Sequence, residues 1–297
     1  MPVETVDEVL TQADHQLASE IAGLDALESE QTGGTSRGRA MWSAAWPKLA
    51  AIALALLAWQ IVVWSKWKPD YILPGPDKVF PALGDMIRDG SLWKAMATTL
   101  RRAVTGFAIA IVVGCLLGLI VSTFRIARVA FGSLITGLQT MPSVAWFPLA
   151  LVLFKRSEAA IFFVIVLGAA PSIANGLLTG VDNIPPILSR AGRVLGAGRF
   201  SQIRYVVLPG ALPSFVSGLR QGWAFAWRSL MAGELLVIIA NKPSIGSTLE
   251  FSRSVSDYPG MMATMLVILI IGVLIDTFVF TQLDRAILRR RGLVASR

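Results

Sequence analysis

Residues 181–213 read Val181-Asp182-Asn183-Ile184-Pro185-Pro186-Ile187-Leu188-Ser189-Arg190-Ala191-Gly192-Arg193-Val194-Leu195-Gly196-Ala197-Gly198-Arg199-Phe200-Ser201-Gln202-Ile203-Arg204-Tyr205-Val206-Val207-Leu208-Pro209-Gly210-Ala211-Leu212-Pro213. Pro185 and Pro186 suit the first turn of a helix, where a missing N–H costs nothing. Residues 187–196 carry helical patterning, and Ala191, Gly196 and Ala197 are small enough to let another surface approach closely. Arg193, Arg199 and Arg204 keep the stretch out of hydrocarbon. The segment 181–207 therefore reads as a short helix pair with a small-residue tip, flanked by proline hinges and exposed to the cytosol. Such a rigid protrusion is suited to receiving force from a soluble partner.

Apolar blocks lie on both sides of it. The block before runs from Ala159 to Gly180, with Pro171 inside; the block after runs from about Leu208 to Ala240. Further out come Lys48 to Trp64, bracketed by Trp42, Trp46, Trp64 and Trp67, and Thr99 to Thr123, which holds a Gly114-x-x-x-Gly118 pair. A block from about Val129 to Phe154 is interrupted at Met141-Pro142-Ser143, and a last one runs from Gly260 to Gln282. Uncharged stretches of about 18 residues or more are candidates for crossing a bilayer, tryptophans suit its interface, and Gly-x-x-x-Gly is a helix-contact signal. The expected fold is all-α, a polytopic membrane protein of about six transmembrane helices.

Composition agrees. The 297 residues are 54% hydrophobic and only 15% charged, against about a quarter charged in a soluble domain. One cysteine, Cys115, excludes a disulfide framework, and with one histidine, His15, it excludes the usual zinc and iron–sulfur ligand sets. The net charge of +8 does not point to nucleic acid. Residues 1–36 hold eight acidic side chains and no Lys or Arg, so the remainder carries +16, in short clusters at the ends of apolar blocks. That is the placement of topology determinants and headgroup contacts. With the amino terminus inside, the inner segments hold 14 Lys and Arg and the outer ones 11. The expectation is that both termini and the 181–207 segment are cytoplasmic.

The chain divides into residues 1–40 and 41–297. In the first, Val6, Val9, Leu10, Ala13, Leu17, Ile21, Leu24 and Leu27 recur at three- and four-residue steps, an amphipathic helix pattern with an acidic opposite face. Gly33, Gly34, Thr35, Ser36 and Gly38 then read as a flexible linker. A solvated, partly disordered tail and a docking element for a partner subunit are both open. The second part is the transmembrane domain.

Several pieces together resemble the permeases of importer-type ABC transporters. The run Arg190-Ala191-Gly192, then Gly196, then Val206-Val207-Leu208-Pro209 has the spacing of their "EAA" loop, with Arg190 where the family has Glu and Gly192 for its second Ala. Leu73-Pro74-Gly75-Pro76, Met141-Pro142-Ser143-Val144-Ala145-Trp146-Phe147-Pro148-Leu149, Gly218-Leu219-Arg220, Ala232-Gly233-Glu234 and Asp276 add to the match. The resemblance is to the sulfonate, taurine and nitrate permeases and covers about residues 70–290. Phe154-Lys155-Arg156-Ser157-Glu158 stands where the family has Phe-Gly-x-Gly-Glu.

The resemblance implies the type I importer permease fold in the cytoplasmic membrane, a second copy of the chain, and an extracytoplasmic binding protein. It also implies two ATPase subunits that carry ATP and magnesium and receive residues 187–203, with Arg190, Ala191, Gly192, Arg193, Gly196, Ala197, Leu208 and Pro209 at the contact. No Gly-x-x-x-x-Gly-Lys-Ser/Thr loop occurs here, so this chain is expected to hold no nucleotide or other cofactor. The implied cargo is a small anion, an aliphatic sulfonate or taurine first, with nitrate and bicarbonate as alternatives.

Charges inside the spans are the other site candidates. Arg220, Arg228 and Glu234 fall in the fifth block and Asp276 in the sixth; intramembrane charge is costly and calls for a function or a partner. Two readings stay open for the arginines: an electropositive anion path, or pairing with Asp276 and capping of broken backbone near Pro142 or Pro171. Gln139, Ser143 and Asn175 could line the path or bond neighbouring helices. A secondary transporter would need an internal repeat and midplane carboxylates, and an intramembrane enzyme would need a histidine or paired acids beside a nucleophile. Neither pattern is present, and a pure anchor would not need the proline-flanked basic loop.

Overall fold

A computed structural model describes residues 37–290; the amphipathic pattern and linker expected before Arg37 lie outside them, as does His15. The chain forms two compact units that meet between Ser65 and Lys66. The first contains α1 (Arg37–Trp64), whose Trp46–Trp64 part is apolar enough to cross a bilayer. The second contains everything else: α2 (Pro76–Arg88), α3 (Ser91–Thr123), α4 (Arg125–Thr140), a 3-10 turn (Ser143–Trp146), α5 (Phe147–Phe154) and α6 (Glu158–Asp182). After these come α7 (Pro186–Val194), α8 (Arg199–Gln202), a π-turn (Ile203–Val207), α9 (Leu208–Leu236), α10 (Ile245–Ser254), α11 (Tyr258–Ile275), a second π-turn (Asp276–Phe280) and α12 (Thr281–Arg290). No strand occurs among the described residues.

The centre of the second unit is α6, which buries Ile161, Ile165, Ile173 and Ala174 completely. Small residues let its neighbours come close. A Cβ on Gly114 of α3 would stand 2.8 Å from the carbonyl oxygen of Ala170, and one on Gly176 would stand 2.6 Å from the Cα of Gly218 in α9. Positions 106, 114 and 118 of α3 face 165, 173 and 177 of α6, so these two helices run the same way. Positions 168, 176 and 180 face 229, 218 and 211, so α9 runs opposite. Two parallel spans joined by 34 residues require the chain between them to return across the bilayer. It does so as α4 and the 143–154 helix, which meet at 104°. The break falls at Met141-Pro142, where the ring removes a donor and pushes the preceding residue out of helical geometry.

Four helices have the length and hydropathy of a span, and a fifth if the bent pair counts as one. The expected fifth block is α9, 29 residues long, whose arginines and glutamate make it more polar than the others. It stops at Leu236 rather than Ala240, five residues before Asn241 takes a left-handed φ of 60°. The expected hinge at Leu208-Pro209 is absent. Helical geometry continues from Arg199 through the π-turn into α9, because Pro209 sits in the first turn of α9, which tolerates a missing N–H. Aromatic packing closes the core: Phe107 meets Trp223 edge-on at 5.2 Å and Trp223 stacks on Trp227 at 6.2 Å, so both tryptophans are packing residues.

Candidate functional site

Four groups of polar side chains interrupt this apolar bundle. At the break, the end of α4, the 3-10 turn, α6 and α9 enclose a cleft of about 440 Å³. Gln139, Thr140, Met141, Pro142 and Ser143 line one side, Gly168 another, and Phe225, Arg228 and Ala232 the third. Positions 225, 228 and 232 share one face of α9, three and four residues apart. The Arg228 guanidinium carbon lies 4.7 Å from the centre of the Phe225 ring, and its Nε donates to the Ala224 carbonyl at 3.1 Å. No carboxylate lines the cleft and none pairs with Arg228 among the described residues. Among the described residues the Gln139 Nε2 is buried without a partner, as is the Oγ of Ser229, which packs against Gly168 and is not part of the cleft lining.

Arg220 is placed differently. Its Nε and Nη2 donate to the two oxygens of Asp276 at 2.7 and 2.6 Å, and its Nη1 reaches Asp284 at 3.4 Å. The π-turn that starts at Asp276 and the following α12 bring both carboxylates to one guanidinium. Of the two readings open for the arginines, pairing describes Arg220, while Arg228 has no acid beside it.

Glu234 is fully buried and does not border the cleft. Its carboxylate accepts from Arg102 Nη1 at 3.0 Å, Thr99 Oγ1 at 2.8 Å and the Gly246 backbone N–H at 3.1 Å. Thr99 Oγ1 in turn accepts from the Ile245 N–H at 2.9 Å. A Cβ on Gly246 would collide with the Cβ of Glu234, which is why that position is glycine. Arg102, only 2% exposed, also touches Glu158, whose Oε1 gathers Arg101 and Lys242 at 3.2 and 3.1 Å. This lock joins the heads of α3, α6 and α10 to the tail of α9. Arg102, Thr99 and Lys242 were not among the sequence candidates, since basic residues at the head of an apolar block read as topology signals. Asn175 is exposed on α6 and lies outside the cleft lining.

At the opposite end of the bundle, α7 carries Arg190, Ala191, Gly192 and Arg193. Gly196 turns the chain with φ 78°, its N–H donating to the Arg193 carbonyl at 3.0 Å. Ala197 N–H then reaches the Gly192 carbonyl at 2.9 Å, and Gln202 Nε2 caps back to the Ser189 carbonyl at 2.7 Å. Gly192 is buried against Val206 and Ala197, whereas Arg190, Arg193, Leu208 and Pro209 are exposed. The tip presents bare apolar side chains: Ile187, Val194, Leu195 and Phe200 are 71%, 86%, 86% and 79% exposed. Apolar exposure on a charged protrusion marks a contact surface.

The profile of the family described as binding-protein-dependent transport system inner membrane component matches residues 110–291. An ABC transporter permease protein of Methanocaldococcus jannaschii is 30% identical over 77% of this chain and 86% of its own length. The taurine transport system permease protein of Escherichia coli is 28% identical over 63% of this chain and 70% of its own. The bicarbonate transport system permease protein of Synechococcus elongatus is 29% identical over 89% and 98%, and the nitrate import permease protein of Synechocystis 26% over 77% and 84%. Among solved structures, an inward-facing MetNI methionine ABC transporter chain superposes with a TM-score of 0.55 at 21% identity, covering 66% of this chain and 96% of that one. That last likeness speaks for the fold alone.

Proposed function

Because the chain belongs to the family of binding-protein-dependent transport system inner membrane components, and is the multi-pass permease subunit of an ABC importer whose ATPase is a separate chain, we propose that its cargo carries a monovalent oxoanion head, an aliphatic sulfonate or taurine first. The observation that carries this reading is Arg228. A cation held in a spanning helix defaults to a functional role when no partner neutralises it, and here it opens on a carboxylate-free cleft at the break in the return span. Arg220 and Arg102, by contrast, are matched by acids: Arg220 by Asp276 and Asp284, Arg102 by Glu234 and Glu158. The taurine, nitrate and bicarbonate permeases among the relatives support a small anion and leave its identity to experiment.

The drive comes from outside. We place residues 181–207 in the cytoplasm, where the exposed tip would enter a groove on an ATPase subunit that holds ATP and magnesium, each of two permease copies engaging one. Gly196 lets the chain turn sharply there, and Arg190, Arg193, Ala191 and Ala197 border the tip. Closure of the ATPase pair would shift the bundle between inward-open and outward-open packings, and an extracytoplasmic receptor would deliver the anion. The test is Arg228→Gln in the full complex reconstituted in liposomes with its receptor. Uptake of labelled alkanesulfonate, nitrate or bicarbonate, whichever the wild type carries, is expected to fall at least tenfold with subunit stoichiometry unchanged. Undiminished uptake removes the anion reading.

A further inference from the structure

We propose that the rim of exposed cations around Glu158 is the surface on which an acidic face of the extracytoplasmic receptor docks, and that Glu158 is the carboxylate which the receptor's own acids displace. The proposal rests on the importer reading above, which sets this end of the second unit outside the cell, and it is independent of the cargo. Glu158 Oε1 accepts from Arg101 Nη2 at 3.2 Å, from Arg102 Nε and Nη2 at 3.4 Å each, and from Lys242 Nζ at 3.1 Å. One carboxylate oxygen thus faces three cations that repel one another. Arg102 is buried and is matched by Glu234, so the demand left on Glu158 comes from Arg101 and Lys242, whose side chains are 61% and 45% exposed. Lys155 and Arg156 stand in the turn just ahead of α6, both exposed and paired with no acid among the described residues.

Five cations, Arg101, Arg102, Lys155, Arg156 and Lys242, therefore meet two carboxylates, Glu158 and Glu234, a surplus of three positive charges. The acids of the neighbouring α10 segment do not offset it. Glu250 is held by Arg253 at 2.6 Å, and Asp257 caps α11 by accepting from the Gly260 N–H at 3.1 Å. Cations that face water bind a free small ion weakly, because solvent and salt screen each of them. A protein surface brings several carboxylates in one fixed array, and their summed field steers the encounter and sets its orientation. The rim suits that kind of partner. Lys242 also sits on the stretch that joins α9 to α10, so a receptor acid that takes it from Glu158 frees this stretch from the head of α6 while Arg102 keeps Glu234. Docking is thereby felt at the tail of α9, the helix that carries Arg228.

The test is the rate at which the receptor that supports uptake associates with the permease–ATPase complex in zwitterionic lipid nanodiscs, read by biolayer interferometry at rising salt. Association is expected to slow as salt rises. The double variant Lys155→Gln with Arg156→Gln, which breaks no contact of the lock, should slow it about tenfold at low salt. Lys242→Gln should slow it too, whereas Glu158→Gln should speed it, since a competing carboxylate has gone. A merely structural Glu158 predicts the opposite sign. Association indifferent to salt and to the double variant overturns the proposal, as does a slower Glu158→Gln. Loss of the rim's effect in anionic lipid would assign the cations to headgroups, and slower anion uptake with unaltered association would make them a funnel for cargo; either result also overturns it. All of these leave the Arg228→Gln test standing, and undiminished uptake there removes the anion reading without touching the rim.

Discussion

Lys155 adopts φ 55° and ψ −158° at the end of α5, a backbone conformation that borders on one kept for glycine. A lysine is held there because its N–H donates to the Leu151 carbonyl at 2.9 Å and its own carbonyl accepts from Ser157 at 3.0 Å, closing a tight turn ahead of α6. Strain of this kind costs about 1–3 kcal/mol, and glycine adds about 0.4–1 kcal/mol of unfolded-chain freedom. Lys155→Gly should therefore stabilise the protein by about 1 kcal/mol, read as a higher melting temperature in detergent. A lower one would mean that the lysine stem makes packing contacts that outweigh the relief. What the side chain contributes in return is a second cation beside Arg156, on a rim where Arg101 and Lys242 already face Glu158.

At the scale of elements, the segment from Pro186 to Val207 is two short helices joined by one left-handed glycine, with its apolar side chains outward. Leu195 makes no packing contact that a substitution could break within the chain, since it is 86% exposed. Leu195→Asp is expected to abolish co-purification of the ATPase while leaving the melting temperature of the permease unchanged. Retention of the ATPase would remove the tip from the contact. Much of this element was legible beforehand, because Pro185-Pro186, the Gly196 turn and the arginines act locally. The break at Met141-Pro142-Ser143 was legible for the same reason. Leu208-Pro209 misled, since a proline signals a hinge only if its missing N–H would have been used, and after a π-turn it is not. The limit of Arg102 as a topology signal is of another kind: it binds Glu234 across 132 positions of sequence, and spacing rules see only a few turns.

At the largest scale, the second unit is polarised. One end carries the lock of Thr99, Arg102, Glu158, Glu234 and Lys242; the other carries the exposed tip; the cleft lies between them. Removing one member of a buried ion pair strands the other's charge, at a cost of about 3–5 kcal/mol. Arg102→Gln should destabilise by that order, because it deserts Glu234 and leaves Glu158 to its two surface partners. The double variant Arg102→Leu with Glu234→Leu should recover a substantial part, as apolar replacement of both partners often does. Thermal unfolding of the single and double variants checks this, and a double variant as destabilised as the two singles added together would show that the carboxylate matters mainly to Thr99 and Gly246.

Arg128 bonds Asp182 at 2.9 Å, so α4 begins beside the very residue that ends α6 and leads into the helix pair with the exposed tip. The pair itself is half-exposed and worth little, but Ile135 of α4 is buried with Ala174 and Leu178 of α6, which keeps the two helices together. From Arg125 to Thr140, α4 is 16 residues, a stiff rod of about 24 Å, and its far end, Gln139 and Thr140, is the rim of the cleft. On the proposed function it would serve the bundle as a connecting rod serves an engine: a stroke delivered at the crank by Asp182 would arrive at the cleft beside Arg228 without having to pass through the tightly packed glycine seams of the centre.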